Sequence, residues 1–278
     1  MLRSDFLQLL GSGLAAPHFS RRITFAGPPL RIGLELYSVR QAMRADPEAT
    51  LAAIAAMGYR EVELLWSFGN FGRTTAQVRA SLASAGLRAP TAHISPSLLS
   101  ADWEASLATA KELGHEYLIV PSLPAESSNT LDGWREWADR FNRAGATART
   151  AGVWLAFHNE PGHQTPIEGV VPYDLFLQRT DPSLVRLQLD VGNMTMGGGD
   201  PMAYLKRHSK RYWGFHLKDV VADRSRDTEL GEGSVKLGEL VAAITNRAEK
   251  PCFVEQEGSV DPMASARRNL EYLKALKS

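Results

Sequence analysis

The stretch Leu155-Ala156-Phe157-His158-Asn159-Glu160-Pro161-Gly162-His163 is a short apolar run that ends abruptly in a polar cluster. Three later stretches, at 187–193, 213–219 and 252–258, repeat this pattern, and each stops at an ionisable side chain. Parallel strands in β/α proteins bring their carboxyl ends to one face of the sheet or barrel. The repetition therefore predicts a polar site built at the ends of consecutive parallel strands.

A unit of apolar strand, polar loop and helix repeats from residue 30 onward. Helix boundaries are readable, since Asp46-Pro47 and Asp261-Pro262 are typical N-cap pairs and Gly58 ends the first helix. Eight such units predict an α/β protein with a single domain, a (β/α)8 TIM barrel. A doubly wound open sheet is the alternative, but no glycine-rich phosphate fingerprint follows the first strand. The predicted strands are 30–37, 60–66, 87–94, 116–121, 153–158, 184–190, 212–218 and 252–257.

Composition excludes several classes of protein. The 278 residues contain 31 basic and 31 acidic side chains, so nothing suggests a nucleic-acid or membrane-surface partner. No apolar run approaches the roughly 20 residues of a membrane span. The single cysteine, Cys252, excludes an internal disulfide and a cysteine-based zinc site. The composition is therefore compatible with a globular protein that binds a small molecule.

The N-terminus, Met1-Leu2-Arg3-Ser4-Asp5-Phe6-Leu7-Gln8, is similar to a bacterial twin-arginine export signal. Ser4 stands in place of the second arginine, and the apolar run that follows is short for a signal. Residues 1–28 are therefore either a degenerate export signal or a disordered N-terminus, and the barrel occupies 29–278. A working signal implies a periplasmic protein, and otherwise we expect a cytoplasmic one.

A period of two along each strand separates side chains that face the helices from side chains that face the barrel interior. In the strand at 153–158, Phe157 faces outward and His158 inward. In the strand at 212–218, Trp213, Phe215 and Leu217 face outward. The predicted inward set is Glu61, Glu63, His93, His158, Arg186, Gln188, Asp190, Gly214, His216, Lys218, Phe253, Glu255 and Glu257.

Histidine and carboxylate side chains concentrate at the ends of the last four strands. Asp190, His216 and Glu255, with Glu160 or a nearby histidine, form a candidate divalent-metal set. Each residue alone has an ordinary explanation, such as a hydrogen-bonded core histidine or a turn-forming carboxylate. Buried carboxylates need a compensating cation, so their occurrence at four strand ends favours a bound metal.

Several segments, taken in order, match a known family: Gly33-Leu34-Glu35-Leu36-Tyr37-Ser38-Val39-Arg40, Gly58-Tyr59-Arg60-Glu61-Val62-Glu63, Ala92-His93, Phe215-His216-Leu217-Lys218-Asp219, Gly231-Glu232-Gly233 and Phe253-Val254-Glu255-Gln256-Glu257. From residue 31 to the C-terminus, the chain resembles the sugar phosphate isomerase/epimerase family of xylose isomerase-like TIM barrels. The resemblance implies one divalent ion, often Mn, Mg, Co or Zn.

The same resemblance implies a ligand set. Asp190, His216 and Glu255 take the positions of the family's ligands after the sixth, seventh and eighth strands. The position after the fifth strand departs from the family, because many relatives have His-Asn-His-x-x-Glu where this chain has His158-Asn159-Glu160-Pro161-Gly162-His163. The first ligand is therefore either Glu160 or His163.

The implied activity is isomerisation or epimerisation of a sugar by proton transfer beside a carbonyl, through a metal-stabilised enediolate. Glu160 or Glu255 would act as catalytic base and His158 as a proton shuttle. Glu63, Trp66, His93 and Lys218 are the candidate substrate-binding residues, with Trp66 placed to stack on a sugar ring.

Two alternative functions would use the same residues. A metal-dependent lyase or dehydratase would remove the same proton from a keto-sugar or related hydroxy-ketone and then expel a leaving group. A catalytically inactive sugar-binding barrel is the other alternative. A relative that cuts nucleic acid is disfavoured, since it needs a basic surface. The expected partner is a small sugar-derived molecule, and a homo-oligomer is compatible with the sequence.

Overall fold

We analysed a computed structural model, which describes residues 29–100 and 102–276. The predicted export signal or disordered segment at 1–28 lies outside the described residues. The strands are β1 (Arg31–Glu35), β2 (Glu61–Leu65), β3 (Arg88–His93), β4 (Tyr117–Val120), β5 (Trp154–His158), β6 (Val185–Asp190), β7 (Tyr212–Leu217), β8 (Asp219–Val220), β9 (Asp227–Thr228) and β10 (Pro251–Val254). Eight of them are parallel and close into a barrel in the order β1-β10-β7-β6-β5-β4-β3-β2, while β8 and β9 form a separate hairpin. The predicted TIM barrel is confirmed.

Helices surround the barrel. Asp46 accepts a hydrogen bond from the backbone N–H of Ala49 and caps the helix that begins at Pro47, as its N-cap pattern predicts. Within the described residues, no helix is both long and apolar enough to cross a membrane. The helices are α1 (Arg40–Ala45), α2 (Pro47–Met57), α3 (Gly69–Gly72), α4 (Thr75–Ala85), α5 (Trp103–Leu113), α6 (Ala125–Ser128), α7 (Leu131–Ala151), α8 (Pro172–Arg179), α9 (Val191–Met196), α10 (Pro201–Arg207), α11 (Leu237–Ala243) and α12 (Pro262–Ala275).

The amino end of the barrel is closed by stacked aromatic and cationic side chains. The guanidinium of Arg186 lies 3.4 Å from the ring centre of Trp154 and 3.7 Å from that of Trp213. The prediction that Trp213 faces the helices is wrong. The register between β6 and β7 shifts at this point, so that Leu187 pairs with Tyr212 but Gln188 pairs with Gly214. Such a bulge breaks the period of two and turns Trp213 toward the interior.

The floor of the site is formed by Phe253, which points into the barrel from β10. Its ring occupies the space beside Gly33 on β1, where an added Cβ would lie 2.5 Å from ring carbons. The ring centre of Phe253 lies 6.2 Å from that of His216 in the layer above. The ring of Phe253 therefore fills the barrel interior directly beside the imidazole of His216.

The stability of the fold is expected to decrease in acid because of His115, which lies buried in the connection between α5 and β4. Its Nδ1 lies 2.5 Å from the carbonyl oxygen of Ala89, and burial lowers the pKa of His115 from 6.5 to about 4. The unfolded chain binds this proton more tightly than the folded chain does. The contribution of neutral His115 to stability is therefore fully present above pH 6.5 and is lost as the pH falls toward 4. The expected loss is about 3 kcal/mol.

Urea unfolding of the wild type and His115→Gln across this pH range measures the effect. The variant is expected to show a shallower decrease in unfolding free energy between pH 6.5 and 4, whatever its stability at pH 7. Equal slopes in the two proteins would contradict this assignment.

Candidate active site and metal centre

A cavity of about 310 Å³ opens at the carboxyl end of the barrel. Four carboxylates line it, Glu35, Glu160, Glu255 and Glu257, together with the rings of Tyr37, Phe68, His93 and His158. A larger surface depression of about 500 Å³ contains none of the predicted site residues. The predicted catalytic residues therefore line the cavity at the mouth of the barrel.

Asp190, His216 and Glu255 converge at the ends of the sixth, seventh and eighth barrel strands. One ligand atom of each lies within 4.8 Å of the others, and all three side chains are buried. Nδ1 of His216 lies 2.7 Å from Oε2 of Glu255 and 3.9 Å from Oδ2 of Asp190. The geometry brings together two carboxylates and one imidazole, a donor set that suits a divalent cation.

The orientation of Asp190 is set by neighbouring backbone and amide groups. Its Oδ1 accepts a hydrogen bond of 2.7 Å from the backbone N–H of Asn193, at the start of α9. The side chain of Asn159 exchanges two hydrogen bonds with the backbone of Asp190 and so ties the end of β5 to the end of β6. Oδ2 of Asp190 is buried and accepts no hydrogen bond, which leaves a lone pair that fits a metal ion.

His158 presents a second lone pair to the same region. Its Nδ1 lies 2.9 Å from Oε1 of Gln188, whose amide orientation is assigned from the hydrogen bonds that its Nε2 donates to Glu63. Because Oε1 can only accept, Nδ1 carries the proton and Nε2 is left as the unprotonated nitrogen, which faces Nδ2 of Asn193 at 3.4 Å. That nitrogen lies 3.9 Å from Oδ2 of Asp190. Burial lowers the pKa of His158 well below its usual value, so its imidazole is neutral.

Glu63 holds His216 from the opposite side. Its Oε1 lies 2.5 Å from Nε2 of His216 and 3.1 Å from Nε2 of His93. Carboxylates that bond the far nitrogen of a ligating histidine fix its orientation and raise its basicity. Burial opposes the charged imidazolium, but Glu255 and Glu63 outweigh it and raise the pKa of His216 well above its usual value.

The profile described as "Xylose isomerase-like TIM barrel" matches residues 51–276. The chain belongs to this family. The resemblance drawn from the sequence motifs is confirmed.

The sequence identity between this chain and individual relatives is low. Inosose dehydratase 2 of Bacillus cereus is 26% identical over 181 residues, which cover 58% of this chain and 60% of that protein. The chain thus spans about 60% of the length of the curated relatives it matches. A sugar phosphate isomerase/epimerase of Parabacteroides distasonis has a TM-score of 0.76 and 26% identity over 88% of this chain and 97% of its own. A structure of the IOLI protein with a bound zinc atom shares the fold, with a TM-score of 0.68 and 13% identity over 89% and 98% of the chains.

Within this family member, Glu160 and His163 occupy different environments. Glu160 lines the cavity, where Oε2 accepts a hydrogen bond of 3.1 Å from Nδ2 of Asn193, and burial raises the pKa of Glu160 to about 8. His163 packs outside the barrel, with its ring centre 4.9 Å from Trp134 and 5.3 Å from Phe157. Its Nδ1 accepts a hydrogen bond from the backbone N–H of Glu160. Neither belongs to the buried groups whose ligand atoms lie together.

The predicted substrate-binding residues also separate. His93 lines the cavity, whereas Glu63 is completely buried behind His216. The ring centre of Trp66 lies 5.6 Å from that of His115, and Trp66 does not line the cavity. The aromatic surface of the cavity comes from Tyr37 and Phe68, which sequence reasoning did not select.

Glu35 is a site residue that the sequence analysis missed. It is fully buried beside Glu63, and its Oε2 accepts no hydrogen bond. Burial, reinforced by Glu63, raises the pKa of Glu35 well above its usual value. The signal was present, because Glu35 ends β1 in the same way that Asp190 ends β6.

Lys218 lies among the carboxylates, and 1% of its side chain is exposed. Its Nζ donates hydrogen bonds to Asn193 at 3.0 Å and to Glu257 at 2.6 Å, and lies 3.1 Å from both Asp190 and Glu255. This ammonium is therefore surrounded by protein oxygens and does not line the cavity.

Proposed function

We propose that this protein is a divalent-metal-dependent enzyme that isomerises or epimerises a sugar by moving a proton at a carbon beside a carbonyl group. The observation that carries the proposal is the convergence of two acceptor atoms, Oδ2 of Asp190 and Nε2 of His158, on the side of the barrel where His216 and Glu255 meet. Oδ2 accepts no hydrogen bond, and Nε2 has only a long contact of 3.4 Å with Nδ2 of Asn193. These four residues would hold the ion. When bound, the ion supplies Lewis-acid stabilisation of negative charge on the substrate's carbonyl oxygen.

Proton transfer is assigned to groups on the cavity wall. Glu35 lies at the end of β1 and Glu160 follows β5, and these strands are four positions apart in the eight-stranded barrel. A substrate in the cavity would therefore have a carboxyl group on each side. Removal of a proton by one and its return by the other inverts a carbon centre, which is the requirement of an epimerase.

The cavity favours an uncharged substrate. Among the residues that the structure describes, no lysine or arginine lines it, while four carboxyl groups do. Burial opposes ionisation of Glu255, but Lys218 and His216 hold its pKa well below the usual value, so its carboxylate would repel a phosphate group. Sugar hydroxyls can instead donate hydrogen bonds to the carboxyl oxygens. The rings of Tyr37 and Phe68 supply an apolar surface for the C–H face of a ring. We therefore propose an unphosphorylated ketose or cyclic polyhydroxy-ketone.

Dehydration is the second candidate, and the similarity to inosose dehydratases of Bacillus favours it. Proton removal beside the carbonyl is common to both reactions. In a dehydratase the neighbouring hydroxyl then leaves as water, and the proton is not returned to carbon.

Product mass after reaction in D2O separates the candidates. The metal-loaded protein is incubated with unphosphorylated ketopentoses, ketohexoses and inososes, and with the phosphorylated ketoses as matched controls. We expect an isomer that carries deuterium at the reacting carbon, and no turnover of the phosphorylated sugars. Loss of one water from the substrate would establish the dehydratase instead. Absence of both product and deuterium exchange in the metal-loaded protein would refute the proposed function.

A further inference from the structure

The ammonium of Lys218 lies inside the candidate metal centre, where it compensates the negative charge of the carboxylates. Its ammonium lies 3.1 Å from Oδ2 of Asp190 and 3.1 Å from Oε2 of Glu255, the same two oxygens that face His216. An ammonium has three N–H groups, but Nζ has four oxygen neighbours. Its hydrogen bonds go to Asn193 and Glu257, while Oδ2 of Asp190 receives none.

The stem of Lys218 is held in place by its neighbours. It lies against Gly192, where an added Cβ would come within 2.5 Å of the lysine Cγ. The stem therefore has little freedom to move. Any displacement of the positive charge is confined to the terminal ammonium. Two directions are available to it, toward the buried carboxylates Asp190 and Glu255, or toward Glu257.

Glu257 is suited to accept the displaced charge. Its side chain is 41% exposed, and its Oε1 is already 2.6 Å from Nζ. The backbone at this point is anchored, because Asp227 in the β8–β9 hairpin accepts hydrogen bonds from the N–H groups of Glu257 and Gly258. Two cations side by side in the buried site would repel each other strongly. An ammonium that moves onto a partly solvated carboxylate avoids most of this free-energy cost.

We propose that Lys218 is an internal counter-cation that competes with the divalent ion for Asp190 and Glu255, and that Glu257 receives its ammonium when the ion binds. This inference rests on the metal centre of the proposed function. It assigns Lys218 and Glu257 as positioning residues that set metal affinity. A lysine that bound substrate would instead direct a free N–H into the cavity.

Titration calorimetry of metal-stripped full-length protein with Mn²⁺ and with Zn²⁺ tests the inference. Lys218→Met is expected to raise affinity about tenfold or more, since a repulsive charge is removed from the site. Glu257→Gln is expected to lower affinity about tenfold, because the ammonium then remains on Asp190 and Glu255. In the double variant, Glu257→Gln is expected to have little further effect, because its action passes through Lys218.

Thermal unfolding supplies an independent readout. Lys218→Met is expected to lower the melting temperature of the metal-free protein and to lower that of the metal-loaded protein less, since the ion replaces the lost charge. Lys218→Arg, which keeps the charge, is expected to retain the low affinity, and it serves if the methionine variant does not fold.

The outcomes are distinct. Unchanged or weaker metal binding in Lys218→Met, with the wild type binding one ion, would overturn this inference and leave the proposed function standing. An effect of Glu257→Gln that is equally large with and without Lys218 would also overturn it. Absence of metal binding in every variant, the wild type included, would overturn both this inference and the proposed metal centre.

Discussion

Replacing His216 with glutamine is expected to abolish binding of the divalent ion and to lower turnover by about a thousandfold or more. Within the described residues, each of the three buried groups that could hold a metal ion contains His216. The substitution therefore removes a ligand whichever group binds the ion. Metal stabilisation of developing charge contributes several kcal/mol, and each 1.36 kcal/mol corresponds to tenfold in rate.

The position of His216 also explains why the loss should be large. Its Nδ1 faces Glu255 and its Nε2 faces Glu63, so the imidazole separates two buried carboxylates. Glutamine preserves much of the volume but has no ring nitrogen to face Asp190 and Glu255. The result is a site with uncompensated negative charge and incomplete coordination.

Glu63→Gln is the graded control for this experiment. It removes the carboxylate behind His216 and leaves the proposed ligands Asp190 and Glu255 in place, and such changes weaken metal binding or activity by about 10- to 100-fold. Elemental analysis and turnover are measured for both variants, and circular dichroism verifies folding. One equivalent of bound metal in folded His216→Gln would disprove the assignment of the centre.

The second large effect is expected at His158, and it decides which residue after the fifth barrel strand contacts the ion. His158→Ala is expected to weaken metal binding about a hundredfold or more, because it removes the lone pair that lies 3.9 Å from Oδ2 of Asp190. Glu160→Gln is expected to leave metal affinity within about twofold while reducing turnover about 10²- to 10⁴-fold, the usual contribution of an acid–base group.

His163→Phe is the matched control, because it tests the other histidine of the same segment. The ring of His163 stacks on Phe157 at 5.3 Å and lies in the layer outside the barrel. Phenylalanine retains that packing and removes both nitrogens. We expect unchanged metal affinity and turnover, with a small change in stability from the lost hydrogen bond to Glu160. Tight metal binding that survives His158→Ala but disappears in His163→Phe would reverse the assignment.

Much of the fold could be predicted because its signals are local. The barrel strands are short apolar runs of four to six residues, and helices such as Pro47–Met57 begin at a capping aspartate and end at a glycine with positive φ. The short helix α9 was not predicted. It begins directly at Asp190, whose side chain is both its N-cap and a candidate ligand, so no loop separates it from the strand.

The same local rule predicted most residues of the candidate site and failed where a strand is irregular. Alternation placed His158, Asp190, His216 and Glu255 at one end of the barrel. It misplaced Trp213, because a register shift between β6 and β7 is not visible in the sequence of either strand. It was not applied to Glu35, although β1 ends in the same manner.

The sequence by itself determined the eight β/α units, the closed barrel and the end at which its ionisable residues gather, because these follow from strand periodicity and helix capping. Only the tertiary structure decided which of the neighbouring groups share a site. His158 and His163 are five residues apart, yet one points into the barrel and the other packs against Trp134 outside it. The contacts of Lys218 with Asp190, Glu255 and Glu257 likewise join different strand ends, which only closure of the barrel brings within hydrogen-bonding distance.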